Sequence, residues 1–409
     1  MSIVSAMNLS SLKFSSKIVK KKRIESIDLL RGVVMIIMAL DHVRHFLHHE
    51  AFLYEPTDLN QTTVFLFFTR FITHYCAPVF VFLAGISAYL YGAKKTKSEL
   101  SLYLFSRGLW LVFVELFIIA LGQTFNPTYP MINLQVIWAI GVSMIVLSAL
   151  IYLKRKFILI TAILLIAAHN FLDNVHITGN PVLHFFWSML HEPREFAVGH
   201  FKLFVMYPLI PWIGIIALGY CFGSLYDSSY DAEKRKKILL SLGFSAIGVF
   251  FLLRSFNIYG DASYWSVQKD FAFSVLSLLN VTKYPPSLLY TLITLGPAMI
   301  FLALTERPLN KFTEKIAVYG RVPFFYYVVH IYLIHLIAII GAIISGYNWT
   351  DMILTTKVNR TPELKNFGFN LATVYFVWIG LILVLYPFCK WFDRYKRKYQ
   401  STRWWLSYV

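Results

Sequence analysis

Charged residues are scarce in this chain. Asp, Glu, Lys and Arg make up 14% of its 409 residues, against 57% hydrophobic ones, and the mean hydropathy is positive. That balance excludes an ordinary water-soluble domain, in which about a quarter of the residues are charged. Cysteine is scarcer still: Cys76, Cys221 and Cys389 stand singly in apolar segments with no CxxC spacing. Neither a disulfide nor a structural zinc site built on cysteine is therefore expected. There is no internal repeat and no low-complexity linker, and the connections between apolar runs reach only about 20 to 30 residues. No separate soluble domain fits between them.

Long apolar runs are what the chain does have. A helix needs about 20 apolar residues to cross a bilayer, and such runs lie near 27–47, 64–91, 102–121, 133–152, 157–173, 203–224, 238–254, 286–304, 316–345 and 368–389. The expected fold class is all-α, a polytopic membrane helical bundle of about 10–11 transmembrane helices. Pro181 to Phe196 is read as a partly inserted or interfacial helix. The division is a basic tail at 1–23, one transmembrane domain at 24–392 and a second basic tail at 393–409.

Acidic residues number 21 against 38 Lys and Arg, a net charge of +17, which raises the question of nucleic acid. Sorting the cations by connection answers it. Alternate connections, starting with the N-terminal tail, hold 25 of them, including Lys13 through Arg23, Lys234 through Lys237 and the tail beyond Lys390. The intervening connections hold only seven: Arg194, Lys202, Lys269, Lys283, Lys357, Arg360 and Lys365. This is the positive-inside pattern, so no nucleic-acid partner is expected, membrane lipid is the partner, and both termini face the cytoplasm. Lys-Lys-Lys-Arg runs into the first helix without a small-residue cleavage site, so that helix reads as a retained anchor.

Six arginines remain in or at the edges of helices: Arg31, Arg44, Arg70, Arg107, Arg254 and Arg321. Ionisable side chains in hydrocarbon cost several kcal/mol, so their neighbours are informative. On the first helix, positions 28, 31, 35, 38, 42, 45 and 49 follow helical spacing and read Asp28, Arg31, Met35, Met38, His42, His45, His49. One face is polar at both ends, and Arg31 lies about 16 Å along the axis from His42. This face should point into the bundle or a wet cavity. A structural reading competes: Asp28 with Arg31 as an i,i+3 pair, and His45 to His49 in the headgroup region. It accounts less well for Asp41 and His42, directly after the apolar run. Neighbours on a helix point about 100° apart, so Asp41 should pair with Arg44 or His45 rather than with His42.

Two further clusters follow. Arg70, His74 and Pro78 share a face, and Pro78 leaves the His74 carbonyl without its helical N–H. Arg70 and His74 are expected to face the first helix across one cavity. In Tyr-Gly-Arg-Val-Pro, Arg321 opens a segment that carries His330 and His335, which point in different directions, so only one should meet a given cavity. His45 and His49 have a spacing that can chelate an ion, but no acidic or cysteine cluster accompanies them, and no metal is expected.

Arg23-x-x-Ser26-Ile-Asp28-x-x-Arg31-Gly32, leading into a helix that ends Asp41-His42, resembles the opening of the transmembrane acyltransferases related to heparan-alpha-glucosaminide N-acetyltransferase. It is also similar to the first helix of the wider acyltransferase-3 proteins. The blocks around Cys76, Tyr207, Tyr319 and Tyr386 resemble the bacterial branch of the heparan-glucosaminide family, so the likeness covers nearly the whole chain. The resemblance implies acetyl-CoA as acyl donor, an amino sugar or glycan as acceptor on the outer face, and a bacterial inner membrane location. It implies His42 as the catalytic histidine of the acyltransferase-3 pattern, with Asp41 and His45 beside it. In the lysosomal enzyme an asparagine stands at the His42 position and the histidine lies further into the following loop, so His45, His48 and His49 remain competitors. Asp28, Arg31, Arg70 and His74 are expected to hold the donor, and His49, His330 and Arg321 the acceptor. Relatives of this kind can be dimeric, so a homodimer is an open expectation. A membrane transporter or proton-coupled channel would use the same ionisable residues as a proton path, and a haem or metal redox protein would show a visible absorption band or bound metal.

The distribution of cations predicts that reporter fusions within Glu50 to Gln61 will report the outer side of the membrane and fusions at either terminus the cytoplasm. A cytoplasmic signal from the Glu50 to Gln61 fusions would overturn this orientation.

Overall fold

The computed structural model describes residues 24–408. The basic stretch Lys13 to Arg23 lies outside the described residues. The helices are α1 (Glu25–Leu47), α2 (Val64–Thr73), α3 (Cys76–Gly92), α4 (Lys97–Phe113), α5 (Ala120–Thr124), α6 (Val136–Leu150), α7 (Arg155–Ala167), α8 (Pro181–Leu190), α9 (Ile210–Phe222) and α10 (Ala232–Ser255). They continue with α11 (Phe271–Leu279), α12 (Leu288–Leu304), α13 (Lys311–Arg321), α14 (Pro323–Ile344) and α15 (Leu371–Tyr399). Among the described residues, five stretches are long and apolar enough to cross a membrane: Val64–Gly92, Lys97–Thr124, α10, α14 and α15. The chain is an all-α polytopic membrane protein, and each apolar run expected from the sequence carries a helix or a pair of helices, with the runs 133–152 and 203–224 beginning in short strands.

Three differences from the expected runs have local causes. The run 316–345 is two elements. α13 stops at Arg321, Val322 leaves helical geometry (φ −129°, ψ 48°), and α14 begins at Pro323, whose ring supplies no N–H and suits a first helical position. The run 64–91 breaks at His74–Tyr75. There the Tyr290 hydroxyl donates to the His74 carbonyl at 2.7 Å, taking up the acceptor that Pro78 leaves free. Pro181 to Phe196 divides into α8, capped by the Asn180 side chain, and a strand.

That strand belongs to a small sheet of β1 (Met131–Leu134), β2 (Arg194–Val198) and β3 (Phe201–Val205), in the order β1-β3-β2. β2 and β3 form an antiparallel hairpin, with Arg194 opposite Val205, and β1 joins β3 in parallel. The sheet satisfies the backbone of two connections that would otherwise lie unpaired over the bundle.

α1 is the helix around which the others gather. It packs against α2, α3, α12, α13, α14 and α15, and fifteen of its 23 residues are buried. α10 and α15 instead turn large apolar side chains outward, among them Phe244, Leu252, Phe376 and Leu383. The charges on α1 explain its enclosure, since Asp28, Arg31, Asp41 and Arg44 need protein partners that lipid cannot supply. Trp378 Nε1 donates to the Ile36 carbonyl at 2.8 Å and ties α15 to it.

α1 and α13 approach each other closely. A Cβ on Gly320 would lie 1.9 Å from the Asp28 carbonyl oxygen, and one on Gly32 would lie 2.2 Å from the Ile316 oxygen. The Gly32 of Asp-x-x-Arg-Gly is thus a contact point between backbones. Gly320→Leu should force the two helices apart and destabilise the protein by at least about 1–3 kcal/mol. Gly248→Ala, where nothing lies within 4 Å, should be neutral or slightly stabilising. Thermal unfolding of the two variants in detergent compares them directly.

Candidate functional site

The C-terminal end of α1 opens on a cavity of about 660 Å³. Met38, Asp41, His42, Arg44 and His45 line it from α1, Arg70 and His74 from the broken α2–α3 pair, and Tyr327 from α14. Asn133 and Phe204 of the sheet, Glu55, the Lys283–Tyr284 turn and the 356–360 segment also line it.

His42 is the residue whose surroundings specify a chemical state. Its Nδ1 lies 2.8 Å from Nε2 of His330, and His330 Nδ1 lies 3.0 Å from the Tyr326 carbonyl oxygen. A carbonyl can only accept, so His330 carries its proton on Nδ1 and presents a bare Nε2. His42 must then donate through Nδ1–H, which leaves the lone pair on its own Nε2. The two rings stack at 5.0 Å between centroids, and Tyr327 meets His42 edge-on at 6.3 Å. His330 is fully buried and stands behind His42 rather than among the lining residues.

Asp41 is held between two guanidinium groups. Arg44 donates to Oδ1 at 3.0 Å and Arg70 to Oδ2 at 2.7 Å, so the pairing with Arg44 expected from helical spacing is present and Arg70 adds a second. Arg70 and His74 do face α1 across one cavity. The clamp fixes α2 against α1 one turn or less from His42.

The other sequence candidates separate into groups. Asp28, Arg31 and Arg321 lie at the far end of α1. Arg31 approaches Asp28 at 3.5 Å and donates to the Gly320 carbonyl and the Ser87 hydroxyl. Arg321 pairs with Glu314 at 2.7 Å and approaches Asp393 at 3.5 Å and Asp28 at 4.0 Å. His49 turns to the Phe367 carbonyl at 3.3 Å, outside the lining, where Phe369 also pairs with the backbone of His48 and His49. His335 is buried between the carbonyls of Gly122 and Met352. Only His330 of that pair reaches His42, as the five-residue separation requires.

Sequence reasoning passed over Tyr327, Lys283, Tyr284, Lys357 and Arg360. A signal existed for the cations: Lys283, Lys357 and Arg360 are three of the seven Lys and Arg in the cation-poor connections, and all three line the cavity. Burial, helped by Arg360, lowers the Lys357 ammonium below its usual value, and its Nζ lies 3.7 Å from the centre of the Phe204 ring. Burial alone would raise the Tyr284 phenol, but the Lys283 and Arg70 cations beside it bring it below its usual value. The Tyr327 hydroxyl is buried with no hydrogen-bond partner.

Residues 23–254, more than half of the chain, match the family model described as heparan-alpha-glucosaminide N-acetyltransferase, catalytic. No curated protein matches the chain.

Because Asp41 compensates two buried cations, Asp41→Ala should cost about 3–5 kcal/mol, the range for breaking a buried pair by removing one partner. Arg44→Met with Asp41 intact should cost less, since Arg70 still holds the carboxylate. Unfolding temperatures measured side by side should keep that order.

Proposed function

The chain belongs to the heparan-alpha-glucosaminide N-acetyltransferase catalytic family and is a membrane acetyltransferase; on that premise we propose that His42 is the general base for attack of an amine or hydroxyl on an acetyl thioester. The observation that carries this is the chain from the Tyr326 carbonyl through His330 to His42, which leaves a lone pair on His42 Nε2 beside the cavity. As the acceptor's nitrogen or oxygen bonds to the thioester carbonyl carbon, its proton passes to Nε2. Collapse of the tetrahedral intermediate breaks the carbon–sulfur bond, and the imidazolium returns the proton to the departing thiolate. The Tyr327 hydroxyl, buried without a partner, is placed to donate to the developing oxyanion.

Acetyl-CoA is the donor that the family implies. With both termini in the cytoplasm of a bacterium, the cavity opens on the outer face of the inner membrane, and the acceptor reaches it from there. We assign Asp28, Arg31 and Arg321 to holding α1 against α13 and α15, because their charges are already engaged with one another and with Glu314 and Asp393. Lys283, Lys357 and Arg360 around the cavity favour an amino sugar or glycan that carries an anionic group.

Purified protein supplied with labelled acetyl-CoA and a panel of amino sugars and glycans tests the reading. His42→Ala should lower turnover by about 10²–10⁴-fold. His330→Gln can still accept from His42 through its amide oxygen and should keep much more activity than His330→Leu. Near-normal transfer by His42→Ala, with loss on substitution of His45, His48 or His49, would move the base to the outer loop.

A further inference from the structure

A second cluster of functional side chains lies outside the cavity. His169 opens a short 3₁₀ turn after α7 (His169–Leu172), Asp173 closes it, and His191 caps the C-terminus of α8. One donor atom from each of the three lies within 4.8 Å of the other two. His169 is 2% exposed and His191 4%. Neither ring nitrogen of His169 has a hydrogen-bond partner, and Nδ1 of His191 has none; the Pro286 carbonyl approaches the His169 ring without completing a hydrogen bond.

We propose that His169, Asp173 and His191 form a binding site for a divalent transition-metal ion of the zinc class. Two neutral imidazoles and one carboxylate are the donor set that zinc takes when a fourth position is left to water. Tetrahedral bonds of about 2.0–2.1 Å place donors roughly 3.3 Å apart, and His191 Nε2 already lies 3.2 Å from Asp173 Oδ1. The remaining contraction falls on a turn and a helix end rather than on a helix interior.

The surroundings of the carboxylate support the assignment. Asn170 donates to Asp173 Oδ2 at 2.9 Å, and the Leu288 N–H donates to Asn170 Oδ1 at 2.9 Å. A ligand carboxylate held by an outer hydrogen bond that is itself held is the usual second layer of a metal site. The simpler alternative is a His191–Asp173 hydrogen bond with a histidine packed beside it. That leaves three imidazole nitrogens buried without a hydrogen-bond partner, an arrangement that carries an uncompensated desolvation cost.

The site has a place in the molecule's working. His191 is two residues before Pro193, and the His169 ring faces Pro286, two residues after Tyr284; Pro193 and Tyr284 both line the cavity. An ion bound here would cross-link two walls of the acetyltransferase cavity from behind, without touching His42. The expectation of no metal rested on His45, His49 and cysteine spacing. A triad drawn from two segments eighteen residues apart carries no such signature.

Tag-free protein in detergent, stripped with a chelator and titrated with Zn²⁺, should bind one equivalent per chain and unfold at a higher temperature. Co²⁺ should give the intense visible bands of a four-coordinate site. His169→Gln and Asp173→Asn should lose both the bound ion and the thermal shift, while His42→Ala should keep them. Failure of the wild-type protein to bind Zn²⁺ and develop the Co²⁺ bands would overturn the proposal, whatever the variants do. So would binding that survives His169→Gln or disappears in His42→Ala.

Discussion

One carboxylate between two guanidinium groups governs the end of the molecule that holds the cavity. Asp41 binds Arg44 of its own helix and Arg70 of the next. In hydrocarbon each of these charges would be costly to leave without an opposite partner. The pairing therefore forces α2 onto α1 and brings the broken helix, with His74, around the cavity. His42 follows Asp41 directly and points about 100° away from it. The ion cluster thus builds the wall while His42 remains available to chemistry.

The N-terminal end of α1 follows the same logic with a different outcome. Asp28, Arg31, Arg321, Glu314 and Asp393 satisfy one another across α1, α13 and α15, and Gly32 and Gly320 let the backbones come close enough for that to happen. At this end of the polar stripe a cluster of five charges holds helices together. At the other end, an unequal cluster of charges surrounds a cavity. The two ends look alike in sequence, and only the number of partners within reach tells them apart.

Backbone irregularities serve the site as well. Pro78 frees the His74 carbonyl for Tyr290, which joins α12 to the α2–α3 break. Pro323 ends one helical segment and starts another, setting the rotation at which His330 presents its imidazole to His42. Tyr326 contributes through its carbonyl, which fixes the tautomer of the whole chain of hydrogen bonds. The first and last of these effects run through a backbone oxygen, a group that every residue carries.

Composition and spacing by themselves determined the class of protein, the approximate extent of the helical runs and the polar face of α1, because lipid permits only backbone structures that satisfy themselves and penalises charge residue by residue. They also singled out Asp41, His42, Arg70 and His74, whose spacing aligns them along helices. Tertiary structure alone decided that His330 backs His42, that Arg321 engages Asp28 and Asp393, and that Lys283, Lys357 and Arg360 converge on the cavity from distant connections. It alone also brought His169 and Asp173 to His191. Helical periodicity links residues three or four positions apart, whereas these contacts join segments separated by many residues, and their distances are set by how the helices pack.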